Sequence, residues 1–538
     1  MRTRFQKFSI FKLKNSKIPS VGSVAIFGLF YGGFLSYKAG AFWDLEADYS
    51  QSLLNKKWLT DGLNNESDVF FEMMHSYSYL LTYISEVPKI LIEAVLRTDL
   101  NFISPSWISY RNIFNFSIFA VGVAALYFWL NFNKAKNNLF LLILLLSFPS
   151  VNGYGFFDSK DIPVFSAACL SLALLRATTS PNLKSSVLQK NYSLFLISFF
   201  MVVFSIGVRP STFLIIAPAL ILVTLYAQIK RLKGILPPIS LGVMVGIVLI
   251  YLTTATFKEE GPIWFYRSYL ASSQFTMWEG GHNLSWGRIF PAGETRTYPF
   301  FVLASQIPDW LFVTAFILII LTARHLKYFS TKLINSDKTT IIVNSYPYFM
   351  MISLLVFFFI KKPILYDDLR QVLFIWAFIM VCAVEVTMFV LLHVSTRYKL
   401  IAKTLIISAI LVTQSNGILL QQYSYTYKNL IARISQPTGF ETDYWAISSK
   451  EASQRIIKDF NASNETKVLA QPPGSFGIYL RELTYMNVSS NPDLFVTISR
   501  PTGLPDNFQN CPIVAQIEKP QLFSTSVLMA YIRKCPKA

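Results

Sequence analysis

Asp44-Leu45-Glu46-Ala47-Asp48 places three carboxylates within five residues, shortly after an apolar stretch that ends at Tyr37. Like charges this close repel one another, and at a bilayer edge they are partly desolvated, so the group is expected to bind a cation or to hold a raised pKa. A solvated acidic loop has the same composition. A second group, Asp158-Ser159-Lys160-Asp161-Ile162-Pro163, flanks a lysine with two acids. Ser159 or Asp161 would cap a helix there, with Pro163 in its first turn, which accounts for one acid but not for both. A third group, from Lys361 through Tyr366, Asp367 and Asp368 to Arg370, is either a solvated turn with an interfacial Tyr or part of a site. Arg209 lies in a minimal turn between two apolar runs. It must snorkel or find an anion, and phosphate is the anion a guanidinium pairs with best.

The elements that must position these groups are membrane helices. Of 538 residues, 53% are apolar, 16% aromatic and only 14% charged, and mean hydropathy is +0.42. That composition excludes a disordered, collagen-like or disulfide-rich secreted chain. Stretches able to cross about 30 Å of hydrocarbon run over residues 19–37, 112–132, 138–151, 162–175, 192–208, 210–227, 235–254, 298–321, 341–360, 369–392 and 400–420. The expected class is therefore an α-helical polytopic membrane protein with about eleven transmembrane helices.

Orientation follows from charge. The chain carries 48 basic and 30 acidic residues, a net +18. If the N-terminal tail is cytoplasmic, the cytoplasmic segments hold 21 Lys and Arg, from Arg2 to Lys403, with Asp337 as their one acid. This is the distribution that retains short basic loops inside, so the positive charge marks topology rather than a nucleic-acid partner. The expected organisation is a cytoplasmic basic tail (1–18), a transmembrane unit (19–420) with long outside loops at 38–111 and 257–297, and an extracytoplasmic C-terminal α/β unit (421–538). The first apolar run lacks a small-residue cleavage site and reads as a retained helix.

Within the first loop, Val69 to Leu96 has apolar residues at helical spacing, the pattern of helices lying at the interface. The second loop holds Trp278, His282, Asn283 and Trp286, which suit a carbohydrate site or, for the Trp pair, an interfacial aromatic belt. The C-terminal unit reads as a helix at 448–460 followed by strands at 467–470, 494–498, 512–517 and 526–532. Cys511 and Cys535 both fall there, where an oxidising compartment permits a disulfide. Glu385, inside a span, is expected to pair within the bundle.

Phe157-Asp158-Ser159-Lys160-Asp161-Ile162-Pro163 resembles the N-P-K-D-I-P-F signature of bacterial membrane glycosyltransferases related to the dolichyl-phosphate-mannose protein mannosyltransferases, with Asp158-Ser159 standing for Asn-Pro. Tyr366-Asp367-Asp368-Leu369-Arg370-Gln371-Val372-Leu373-Phe374 is similar to that family's Y-D-G-x-R-H-x-L-F, with Gln371 in place of His. Phe440-Glu441-Thr442-Asp443-Tyr444-Trp445 resembles its F-E-x-D-Y-W-G segment. The three motifs occur in the family's order, behind an acidic first loop.

The resemblance implies a GT-C architecture that moves a sugar, with inversion, from a polyprenyl-phosphate-linked donor to a lipid, glycan or protein acceptor on the outer face of a bacterial inner membrane. It implies a first-loop carboxylate as general base: Asp44, Glu46 or Asp48, with Asp44 preferred over Asp48. Asp158 and Asp161 would assist, and Asp44 with Asp158 would hold a divalent cation if one is used. Lys160, Arg209 and Arg370 would bind the donor phosphate, with Tyr366, Asp367, His282 and Trp278 toward substrate. A polytopic transporter coupled to an ion gradient is the rival class, but such proteins often carry inverted repeats and mid-membrane acids. No internal repeat is evident here, and the acids sit at the ends of spans.

Overall fold

All eleven apolar stretches are helical over most of their length in the computed structural model. It describes residues 21–535 except 63–76, 97–103, 132–138, 180–186, 233, 274–281, 292–295, 335–337, 364, 366, 367, 369, 481–483, 486–491, 500–507, 509 and 510. The protein is a helical integral membrane protein. Among the described residues seven helices are long and apolar enough to cross a bilayer, and a bent pair makes eight. Two of the expected spans are broken rather than straight. Residues 138–151 form two short helices, Leu139–Leu146 and Pro149–Gly155, because Pro149 cannot continue the hydrogen-bond ladder of the first. Residues 298–321 turn by 96° between Tyr298–Gln306 and Asp309–Leu321, with Pro308 at the corner.

Helix Asp161–Thr179 is the axis of the bundle, with 89% of its apolar window buried. Small residues let its neighbours approach, as in other membrane interfaces. A Cβ on Gly122, in helix Pro105–Asn131, would stand 2.7 Å from the Ser166 Oγ, whose hydroxyl donates to the Ile118 carbonyl. Peripheral helices such as Leu236–Thr253 bury only 22% and expose Leu241, Met244, Val248 and Leu252, the faces that meet hydrocarbon. Glu385 pairs within the bundle as expected: it accepts from the Trp129 indole and the Tyr348 hydroxyl, each at 3.1 Å.

The segment after the first helix is more ordered than a loop. It contains helices Leu45–Asp61 and Leu80–Leu96, and the following helix begins at Pro105, ahead of the expected boundary at residue 111. The second long segment is also structured, with helices Ala255–Glu260 and Ile263–Ser273 and a hairpin of β1 (His282–Ser285) and β2 (Arg288–Pro291).

The C-terminal α/β unit matches its expected elements closely: helix Ser449–Asp459, then β3 (Lys467–Gln471), β4 (Thr484–Tyr485), β5 (Leu494–Ile498), β6 (Ile513–Lys519) and β7 (Val527–Lys534). The sheet order is β4-β3-β5-β7-β6, parallel around β3 and antiparallel around β7. Cys511 and Cys535 are disulfide-bonded, and Cys169 and Cys382 are buried free thiols.

This unit is stitched to the bundle by backbone. The amides of Gly40 and Trp43 donate to the carbonyls of Ile447 and Trp445. A Cβ at Gly40 would lie 2.5 Å from the Ile447 oxygen, so only glycine permits the approach.

Candidate functional site

Four separate stretches of chain deliver charge to one place. Asp44 stands at the N-terminus of helix Leu45–Asp61, with Asp48 one turn on. Asp158, Lys160 and Asp161 form the tight entry to helix Asp161–Thr179, and Arg209 sits in the turn before Pro210. Arg370 opens a short 3-10 turn leading into helix Ile375–His393.

Lys160 is the hub. Its Nζ lies 2.5 Å from Asp48 and 3.6 Å from Asp44. Arg370 reaches the same Asp44 oxygen at 3.7 Å. Arg209 is held 2.8 Å from Asp161. Burial tends to lower the Lys160 pKa, but Asp48, Tyr77 and Asp44 overcome it and hold the pKa well above the usual lysine value. Burial likewise opposes ionisation of Asp44, yet Lys160, Arg370 and Arg209 together keep its carboxyl below the ordinary range. Asp48 goes the other way: burial, with Asp44 adding to it, pushes it up to about 6 against Lys160.

Asp158 takes the capping part expected of Ser159 or Asp161. Its Oδ1 accepts from the amides of Lys160 and Asp161 at 3.0 and 2.9 Å, so Asp158, rather than Ser159 or Asp161, caps the helix. That frees the Asp161 carboxylate for Arg209. Burial and the neighbouring Asp161 raise the Asp158 pKa well above the usual value. Asp44, Asp48 and Asp161 face Lys160, Arg209 and Arg370, three acidic side chains paired with three basic ones.

Two aromatic platforms that the sequence did not single out support the cations. The Tyr77 ring lies under both Lys160 (4.7 Å) and Arg209 (5.5 Å). The Arg370 guanidinium lies 3.9 Å from the Trp445 ring centroid. Stacking of this kind favours a cation more strongly as it loses water. Trp445 carried a signal, being the last residue of the third motif, whereas nothing around Tyr77 marked it.

The floor under Arg370 is itself pinned. Asp443 accepts from the amides of Ile447 and Ser448, each at 2.8 Å, and from the Tyr425 hydroxyl. Tyr444 bonds to Tyr154 at 2.5 Å and donates to Asp368 at 3.2 Å. Asp368, in a left-handed conformation (φ 60°), also receives Lys428 at 2.9 and 3.0 Å and Gln306 at 3.1 Å. Its capacity is taken up by structure, which fixes the turn that presents Arg370.

His282 opens β1 and is exposed. Asn283 ties the hairpin to the Leu365 carbonyl at 2.8 Å, and the Trp286 indole donates to the Phe301 carbonyl at 2.9 Å while its ring meets Phe440 edge-on. Tyr366, Asp367, Trp278 and the side chain of Glu46 lie outside the described residues, as does the basic tail. Among the described residues no group of three or more His, Cys, Asp and Glu is arranged to hold a metal ion.

No family model matches the sequence, and no curated protein matches it. Among solved structures the chain is similar to ArnT from Cupriavidus metallidurans in the apo state (13% identity, TM-score 0.45) and bound to undecaprenyl phosphate (12% identity, TM-score 0.47). Each alignment covers 95% of this chain and 97% of that one. A likeness of this degree leaves the chemistry of the site to its own residues.

Proposed function

We propose that the protein is an inverting glycosyltransferase that takes a sugar from a polyprenyl-phosphate-linked donor and passes it to an acceptor at the non-cytoplasmic face. The observation that carries this reading is the convergence of Asp44, Lys160 and Arg370, from three distant stretches, within 3.7 Å ion-pair contacts.

Transfer from a polyprenyl phosphate needs a base for the acceptor proton and cations for the leaving phosphate. Asp44 is the base in this proposal. Its side chain is 34% exposed against 22% for Asp48, and Asp48 is clamped to Lys160 at 2.5 Å. Arg370 and Lys160 receive the phosphate, with Arg209 behind them. The two roles are coupled. Lys160, Arg370 and Arg209 hold the Asp44 pKa down; a donor phosphate shares those cations, which restores basicity to Asp44 when the donor binds. Asp161 orients Arg209 and Asp158 shapes the helix entry. The concentration of basic residues in alternate loops supports a cluster, and a unit at 421–538, on the side opposite the cytoplasm.

The test uses the purified full-length protein with polyprenyl-phosphate sugars, following release of polyprenyl phosphate and the anomeric configuration of the product. Cells with and without the protein are compared for lipid-linked sugars and envelope glycans. Loss of transfer in Asp44→Asn, with insertion intact, is expected. Unchanged glycans together with solute uptake driven by an ion gradient would establish the transporter instead.

A further inference from the structure

A groove of 710 Å³ lies between helices Leu80–Leu96 and Pro105–Asn131, with the start of helix Ser449–Asp459 over one end. It is within the size range of small-molecule sites. Pro88, Ile92, Tyr110, Ile113 and Phe114 line it, with Tyr37 and Lys450 at that end. None of these residues belongs to the acid and cation cluster described above.

The surroundings indicate what can enter. Leu91 and Val95 beside the groove are 63% and 78% exposed, Ile113 in its wall is 42% exposed, and Phe27, Phe30 and Phe34 on the first helix are exposed as well. In a membrane protein such a continuous apolar surface meets lipid. The groove therefore opens toward acyl chains rather than toward water-soluble ligands.

Its end has the opposite character. The Lys450 Nζ donates to the Tyr37 carbonyl at 2.6 Å and to the Ser109 hydroxyl at 3.3 Å, and sits 4.5 Å from the Tyr37 ring centroid. An ammonium has three protons, so one remains to be used. No carboxylate pairs with Lys450 among the described residues, and burial alone pulls its pKa below the ordinary lysine value. A half-buried cation at the end of an apolar groove is complementary to an anionic headgroup on a hydrocarbon chain.

We propose that this groove binds an anionic glycerophospholipid of the bilayer, its phosphate on Lys450 and an acyl chain lying between Ile92 and Ile113. The bound lipid joins the C-terminal unit, through Lys450, to the helices of the first long loop. This site is independent of the sugar-transfer reading and stands or falls separately from it.

The experiment titrates delipidated full-length protein with phosphatidylglycerol or phosphatidylcholine and counts bound lipid by native mass spectrometry. Phosphatidylglycerol is expected to bind more tightly. Lys450→Gln should reduce that preference about fivefold, whereas Lys458→Gln, at an exposed lysine on the same helix, should not. Ile113→Trp, which fills the groove, should weaken both lipids. If Ile113→Trp does not fold, the Lys450→Gln and Lys458→Gln pair decides the matter. Equal binding of the two lipids by the unaltered protein would overturn the proposal, as would an unchanged preference in Lys450→Gln. So would displacement of phosphatidylglycerol by equimolar polyprenyl phosphate, which would make the groove a donor-lipid site.

Discussion

The guanidinium carbon of Arg370 lies over the indole of Trp445, 3.9 Å from the ring centroid. Arg370 leads into a membrane helix and Trp445 precedes helix Ser449–Asp459 of the C-terminal unit, so this contact makes the C-terminal unit part of the site rather than an appendage. Phe42 and Phe157 meet the same indole edge-on at 5.5 and 5.8 Å, so the first two motifs and the start of the first loop all touch a ring that belongs to the third motif.

Replacing that ring tests its part as a positioning residue. Trp445→Ala should cost about 1–2 kcal/mol of cation stacking, read as a roughly fivefold to thirtyfold rise in donor KM with a smaller change in kcat. Trp445→Phe should recover part of it. A kcat effect with KM unchanged would give Trp445 some other role.

Asp44→Asn removes the proposed base while leaving shape. Transfer should fall about 10²- to 10⁴-fold in kcat. Donor binding should hold or tighten, because a negative charge leaves the neighbourhood of Lys160 and Arg370. Donor affinity by calorimetry beside the turnover rate separates the two effects; a variant that loses binding but keeps kcat would refute the assignment.

Asp48 sets a pH dependence. Its folded pKa of about 6 exceeds the unfolded value of about 3.9, so the folded chain binds this proton more tightly. Its contribution to stability is therefore greatest below about pH 4, declines as pH rises to about 6, and is constant above that. Activity should run the opposite way, since protonation of Asp48 releases Lys160. The kcat/KM profile should fall below about pH 6 with the slope of one proton, and Asp48→Asn should be slower but lack that limb. An unaltered limb in the variant would assign it to a different group.

The buried pair of Lys428 and Asp368, 4% and 2% exposed, should be structural. Lys428→Met leaves a buried carboxylate without its main partner and should cost about 3–5 kcal/mol, seen as a lowered unfolding temperature of the detergent-solubilised protein. A variant as stable as the parent would show that Gln306 and Tyr444 suffice to hold Asp368.

Much of this architecture was legible in sequence because its signals are local. Apolar runs long enough to span a bilayer needed no tertiary information to become helices, and β5 falls on the predicted residues 494–498 because a short apolar run is bounded there by turn-forming residues. The errors came where a local rule had more than one solution. Pro149 and Pro308 stand inside runs that hydropathy joins into single spans, and the backbone breaks there. In Asp158-Ser159-Lys160-Asp161 any of three side chains can cap a helix, and only the fold gave that part to Asp158. Tyr77 bears on two cations and carried no motif, since a platform is recognised by what lies above it.

The sequence by itself determined the class of protein and the kinds of charge available, because hydropathy and residue type are properties of single positions and short windows. The tertiary structure alone decided the pairing: Lys160 with Asp48, Arg209 with Asp161, Arg370 on Trp445. Partners up to 112 residues apart (Lys160 minus Asp48) meet only when helices pack and the C-terminal unit docks. Each pair's protonation then depends on burial that no single stretch of chain encodes.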